Sequence, residues 1–168
     1  MNRFLMIVAG ATALASCATM APMPNTALPY VAAAGSSDQF EIRSSQRALQ
    51  MSQNPEVRRF AQMLIDHHTQ TSATLMGAAR DAGLNPPPPV LLPHHAAMLA
   101  TLERAPADRF DAAYLGQQVP AHQEALALHQ NYAANGDTQA LRAAAGSAVP
   151  IVQQHLTEAQ SMNAGMAR

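Results

Sequence analysis

The chain has 168 residues, of which 48% are hydrophobic, 12% charged and 4% aromatic, with no tryptophan, a size and make-up that suit one globular domain. Its ten basic residues are all arginine and face eleven acids, for a formal charge of −1, so no basic stripe is present to neutralise phosphates and nucleic acid is excluded as a partner. A single cysteine rules out an internal disulfide framework, which leaves that cysteine and seven histidines to be explained.

The chain opens with one positive side chain, Arg3, and an apolar run from Phe4 to Leu14. That run is too short to span a bilayer, which needs about 20 residues, but it suits the apolar region of a secretory signal. It ends in Leu14-Ala15-Ser16-Cys17, small residues before the only cysteine, which is the pattern of a lipobox. Residues 1–16 are therefore expected to be a lipoprotein signal peptide, with Cys17 lipidated and the membrane reached through its acyl chains. Acylation also caps a thiol that an oxidising compartment would otherwise attack. Ala18 follows, not the Asp that retains some lipoproteins at the inner membrane. The expected location is the cell envelope, facing the periplasm, on the outer rather than the inner membrane. Residues 17–29 are small, proline-containing and uncharged, and read as a flexible tether. Met20 and Met23 within it are ligands a soft cuprous ion accepts, but two methionines in a linker read first as linker.

Helical punctuation begins at Tyr30, and the bundle domain is expected over residues 30–163. A first helix is expected from Tyr30 to Ser52. Asn54-Pro55 then supplies a cap followed by proline at the first helical position. The second helix runs to Ala82, with Gly83 as its natural stop. About 25 residues follow, stiffened by Pro86–Pro89 and carrying a short helix from Pro93 to Arg104. A third long helix is expected over Ala107–Ala134, stopped by Asn135-Gly136-Asp137, which also caps a fourth from Asp137 to Met162. Pro120 and Pro150 fall inside these last two and predict kinks. Short, long and short connections describe an all-α, ferritin-like four-helix bundle, its long crossover carrying a short extra helix between the second and third long helices.

At 100° per residue the second helix presents Val57, Phe60, Leu64, Thr71, Leu75 and Ala78 inward, with His67 and His68 on either side of that seam. On the third helix the seam is Leu115, Val119, Leu126 and Ala133, with His122 and His129 beside it and Glu124 pointing away. On the fourth, His155 lies beside Leu141, Ala145, Ala148, Val152 and Ala159, with Glu158 further round. The first helix offers Glu41 among Ala34, Ser37, Ser45 and Ala48, and a carboxylate so buried needs a partner. Glu41 and His67 are equidistant from the Asn54 turn, and His122 and His155 are centred close to the Gly136-Asp137 turn. One carboxylate and three imidazoles thus reach one level near mid-bundle. Glu41, His67, His122 and His155 are the candidate ligands of a single transition-metal ion, zinc first, with iron, copper or manganese also compatible. On periodicity His68 can stand in for His67. His94 and His95 read as surface or capping residues.

The chain resembles a ferritin-like bacterial family catalogued as domain of unknown function 4142, whose members are described as exported or outer-membrane proteins. The resemblance rests on Phe40-Glu41-Ile42, the run from Phe60 to His67, the run from Phe110 to Leu115, His122-Gln123-Glu124-Ala125, and Val149-Pro150-Ile151 leading to His155-Leu156. It covers Tyr30 to Met162 and implies a ferritin-like bundle without an assigned activity. It also implies His67 rather than His68 as the ligand, since the family pattern is Asp-His after the methionine-containing turn. Pro120 departs from that pattern.

Ferritin chemistry does not follow from the fold. Di-iron carboxylate bundles place Glu-x-x-His on two helices. Here Leu64, Val119 and Val152 stand three residues before His67, His122 and His155, so ferroxidase activity and iron storage are not expected. No nucleophile motif or cofactor loop suggests an enzyme. The competing expectation is a structural or stress-related envelope protein whose polar core groups bond only to one another.

Overall fold

The computed structural model describes residues 23–166. The expected signal segment 1–16, the lipidation site Cys17 and the tether as far as residue 22 lie outside the described residues. Every regular element among the described residues is helical: α1 (Ala27–Met51), α2 (Pro55–Asp81), α3 (Pro93–Glu103), a 3₁₀ turn (Ala107–Arg109), α4 (Phe110–Asn135) and α5 (Gln139–Met166). None of these helices is long and apolar enough to cross a membrane.

The helix ends follow local chemistry. The Asn54 side chain accepts the Glu56 N–H at 2.9 Å and Pro55 occupies the first turn of α2. Gly83 closes α2 with φ +75°, its N–H bonding to Arg80 O while Leu84 N–H reaches back to Ala79 O, both at 2.9 Å. This is the paired termination that a left-handed glycine permits. α1 starts three residues before the expected Tyr30 because Pro29 falls in its first turn, where a missing N–H has no partner to lose. Asp137 does not cap α5, which starts at Gln139. Its carboxylate accepts from Tyr132, from Thr138 and, at 3.4 Å, from Ala27 N–H, tying the α4–α5 turn to the start of α1.

Pro120 and Pro150 lie within unbroken helices. In each case the residue four positions earlier, whose carbonyl the proline ring crowds, is an exposed glycine, Gly116 or Gly146, with open space where a side chain would be. A backbone without Cβ can tilt that carbonyl aside, easing the clash that ordinarily breaks a helix.

Side-chain pairs fix the topology. Tyr30 meets His129, Glu41 meets His122 and Ser45 meets Tyr114, so α1 and α4 are antiparallel. His67 meets His155 and Arg59 meets Glu158, so α2 and α5 are antiparallel as well. Since α1 and α2 form a hairpin, α2 and α4 must point the same way. The connection between them therefore returns along the whole bundle, which is the ferritin-like crossover. It runs parallel to α1: Pro89 lies against Gly35, Leu92 N–H bonds Ser36 Oγ at 2.7 Å, and Leu99 packs with Phe40 and Ala121.

The core is layered. One apolar cluster gathers Tyr30, Leu75, Leu128, Tyr132 and Leu141 at one end, with Tyr30 and Tyr132 stacked at 3.8 Å. A second gathers Phe60, Leu64, Leu102, Phe110 and Tyr114 at the other. Between them lies a polar level in which Asp38, Glu41, His68, Gln118, His122 and His155 are all buried. Small residues on α1 at that level (Ser37, Ser44 and Ser45) leave room for the larger groups opposite.

The crossover's seat gives a direct test. A Cβ on Gly35 would lie 2.9 Å from Pro89 Cβ, whereas one on Gly77, inside α2, meets nothing within 4 Å. Gly35→Ala is expected to destabilise the fold by about 1–3 kcal/mol through overpacking, and Gly77→Ala to stabilise it by up to about 1 kcal/mol through helix propensity. Chemical denaturation of the two variants reads both signs.

Candidate metal centre

Each helix of the bundle contributes to the polar level. α1 supplies Asp38 and Glu41, three residues apart on one face, α2 supplies His68, α4 supplies Gln118 and His122, and α5 supplies His155. One ligand nitrogen each from His68, His122 and His155 lie within 4.8 Å of one another, and all three side chains are buried. The rings meet edge-on or tilted, with centroids 5.2–5.6 Å apart.

The hydrogen bonds around the trio select one arrangement of protons. His68 Nδ1–H donates to Asp38 Oδ1 at 2.8 Å, and His122 Nδ1–H donates to the Gln118 carbonyl at 2.9 Å. His155 Nε2 lies 2.8 Å from His67 Nδ1 and donates to it when His155 carries its proton there. The opposite nitrogens, His68 Nε2, His122 Nε2 and His155 Nδ1, are buried without a hydrogen-bond partner in the protein. Three imidazoles, each anchored from behind by an acceptor and each with its other nitrogen unpaired, is the arrangement that orients histidines toward a metal ion.

The carboxylates complete the electrostatics. Asp38 also accepts from Thr71 Oγ1 at 3.0 Å. Both Glu41 oxygens are buried without a hydrogen bond, Oε1 standing 3.6 Å from His122 Nδ1. Burial pushes the Glu41 carboxyl up to about 8, opposed by the nearby His68. Burial lowers His122 to about 3 and His155 to about 2, and neighbouring histidines push them the same way. Burial works against a charged His68 too, but there the Asp38 hydrogen bond and the Asp38 and Glu41 charges outweigh it and raise the pKa. Beside the trio, a half-open cavity of about 70 Å³ is walled by Tyr30, Asp38, Thr71 and His129, and has room for several waters.

Of the four residues expected to converge, Glu41, His122 and His155 share this level. His67 is half-buried and reaches the group only through His155, its ring stacked at 5.1 Å, while the adjacent His68 provides the nitrogen that faces the others. The buried stripe of α2 passes through Ala61, Leu64, His68, Leu75 and Ala79, not midway between the two histidines. The α4 stripe also differs from the expected Leu115, Val119, Leu126 and Ala133. It runs through Tyr114, Gln118, His122, Ala125, His129 and Tyr132, leaving Val119, Leu126 and Ala133 half-buried. Its polar members are buried because they are paired, which hydrophobic periodicity does not register. Asp38, the group behind His68, was legible only as a second acid one turn from Glu41. His95 is no surface residue: it is 2% exposed and bonded to Ser36 Oγ at 2.7 Å.

A family model described as Domain of unknown function (DUF4142) matches residues 11–162. The chain belongs to this family. No curated protein matches the chain. Among solved structures, one described as "CopM in the Cu(II)-bound form" is similar, with a TM-score of 0.71 and 18% identity over 84% of this chain and 97% of that one. At that identity the likeness shows a shared helical-bundle fold, within which this member of the family buries its histidine trio.

The buried ionisable groups set a pH window for stability. His122 and His155, together with His129 and His95, which burial lowers to about 4, stay neutral in the fold but take up protons below about 6.5 once unfolded. Their contribution is therefore lost as pH falls below that value. Glu41 runs the other way: it is protonated in the fold up to about 8, and its penalty grows as pH rises above the ordinary carboxylate range. Between pH 6.5 and 5 the four histidines outweigh the one carboxylate, each net proton being worth about 1.4 kcal/mol per pH unit. The melting temperature of chelator-treated protein is expected to drop on going from pH 7 to pH 5; a rise would contradict this protonation pattern.

Proposed function

We propose that this chain is a lipid-anchored protein of the bacterial envelope that holds a borderline divalent transition-metal ion, zinc or copper(II), in the core of its bundle. The observation that carries the reading is the meeting of three buried histidines, His68, His122 and His155, with one ligand nitrogen of each within 4.8 Å of the others. Each ring has one nitrogen hydrogen-bonded and the other (His68 Nε2, His122 Nε2, His155 Nδ1) buried without a partner. Imidazole donors select zinc, copper, nickel or iron over calcium and magnesium. Charge balance supports a divalent ion: three neutral imidazoles leave its two charges uncompensated, and the buried Asp38, with Glu41 once an ion displaces its proton, would match them. The fold shared with a Cu(II)-bound protein adds weight to copper. In this reading Asp38 and His67 position His68 and His155 from behind, and Glu41 supplies charge beside His122. The anchor at Cys17 and the outer-membrane location rest on the sequence pattern of residues 1–17.

Elemental analysis of the purified mature protein after exposure to zinc or copper tests the centre. Wild type is expected to retain metal and His68→Ala/His155→Ala to lose it; equal and negligible metal in both overturns the proposal. The two neighbouring histidines give a sharper comparison. His68→Ala is expected to abolish binding at this centre, whereas His67→Ala and Asp38→Asn weaken it by about 10–100-fold, the usual effect of removing a group that orients a ligand. A His67→Ala loss larger than that of His68→Ala would reverse their roles.

A further inference from the structure

A second group of ligands lies on the outside of the bundle, where the crossover helix meets α4. His94 and His95 occupy the first turn of α3, straight after Pro93. The His94 Nε2 atom is 3.0 Å from Glu124 Oε1 on α4, and both side chains are about half exposed. One ligand atom each from His94, His95 and Glu124 all fall within 4.8 Å of one another. An exposed His–Glu pair alone is commonplace and stabilises little. His95 is what separates this cluster from such a pair.

Its ring packs against Phe40, at a centroid distance of 5.5 Å and nearly parallel, and against His94, at 3.8 Å and tilted. Its Nδ1 is 2.7 Å from Ser36 Oγ, which also accepts the Leu92 N–H at 2.7 Å. Its Nε2 is buried and has no hydrogen-bond partner. When Nδ1–H donates to Ser36, that Nε2 carries an unused lone pair, on a ring that adjoins His94 and Glu124. A buried imidazole fixed from one side and unpaired on the other, next to an exposed imidazole and a carboxylate, matches two nitrogens and one oxygen of a His₂Glu donor set. The N-terminal end of α3 repels a cation, and the Glu124 carboxylate, contributed by another helix, offsets that field.

We propose that His94, His95 and Glu124 form a second, solvent-open site for a borderline divalent cation such as Cu²⁺ or Zn²⁺. The three protein ligands leave the remaining positions to water. The site shares no ligand with the His68–His122–His155 centre and does not depend on it.

The test is metal stoichiometry by calorimetry, with Cu²⁺ or Zn²⁺ alone as the probe, and electron paramagnetic resonance on the copper form. His94→Ala/Glu124→Gln changes only half-exposed side chains, so the fold is expected to persist. This variant should bind one equivalent fewer than wild type and lose one of two Cu²⁺ signals. His68→Ala/His155→Ala should keep the equivalent that His94→Ala/Glu124→Gln removes. An unchanged stoichiometry and spectrum in His94→Ala/Glu124→Gln overturns the outer site, and that comparison stands even if the inner variant does not fold. If wild type takes up a single equivalent that only the outer substitutions remove, the inner centre fails and the outer site stands; the reverse pattern sinks the outer site alone.

Discussion

The hydrogen bond from His68 to Asp38, 2.8 Å long and buried at both ends, is the contact around which the interior is arranged. Neither group can be left alone at that depth: an unpaired buried carboxylate or imidazolium carries a large desolvation penalty. Pairing them fixes α1 against α2 at one height and turns the far nitrogen of His68 toward the centre. The facing positions on α4 and α5 must then be filled by groups that tolerate that nitrogen. His122 and His155 do so as neutral rings, each tied back by its own acceptor. A leucine at either place would leave His68 Nε2 facing hydrocarbon.

The layering follows from the same constraint. A polar level in a bundle this size needs apolar packing on both sides to keep water out. The Tyr30–Tyr132 cluster and the Phe60–Tyr114 cluster supply it. Tyr30 and Tyr114 also turn their hydroxyls to His129 and Ser45, so the borders of the layer are themselves hydrogen-bonded. The donor set differs from that of di-iron bundles of the same connectivity, where glutamates dominate. Imidazoles from three helices and carboxylates from the fourth suit an ion bound by nitrogen rather than a pair bridged by oxygen.

Much of this architecture is written locally in the chain. Asn54-Pro55 and Gly83 mark the ends of α1 and α2 because caps and left-handed glycines act through atoms a few residues away. The length of the Gly83–Ala107 connection points to a crossover, since a short turn cannot return along a bundle. Glu41 stood out as an acid on a face of small residues. The choice between His67 and His68 was not legible, because adjacent helical residues differ by 100° and the seam falls between them until α1 supplies Asp38. The stripe of α4 was misplaced for a related reason: Gln118 and His129 are inside through hydrogen bonds to Ser44 and Tyr30 on α1, and His122 through one to the Gln118 carbonyl, whereas periodicity counts only hydrophobicity. The burial of His95 depended on Ser36, 59 residues away in sequence, a contact no local pattern carries.

The two proline–glycine steps give the bundle unequal mechanical properties. In α4 and α5 the ladder of backbone hydrogen bonds lacks a rung at Pro120 and at Pro150, within about two turns of His122 and His155. The α2 segment that carries His68 has no such gap, and its histidine is braced by α1. One half of the centre is therefore a stiff wall and the other a pair of compliant struts. For the proposed ion, differences in bond length or preferred angle would be taken up by the struts while the wall keeps its place, so selectivity at such a centre would rest on donor chemistry more than on the size of a rigid hole.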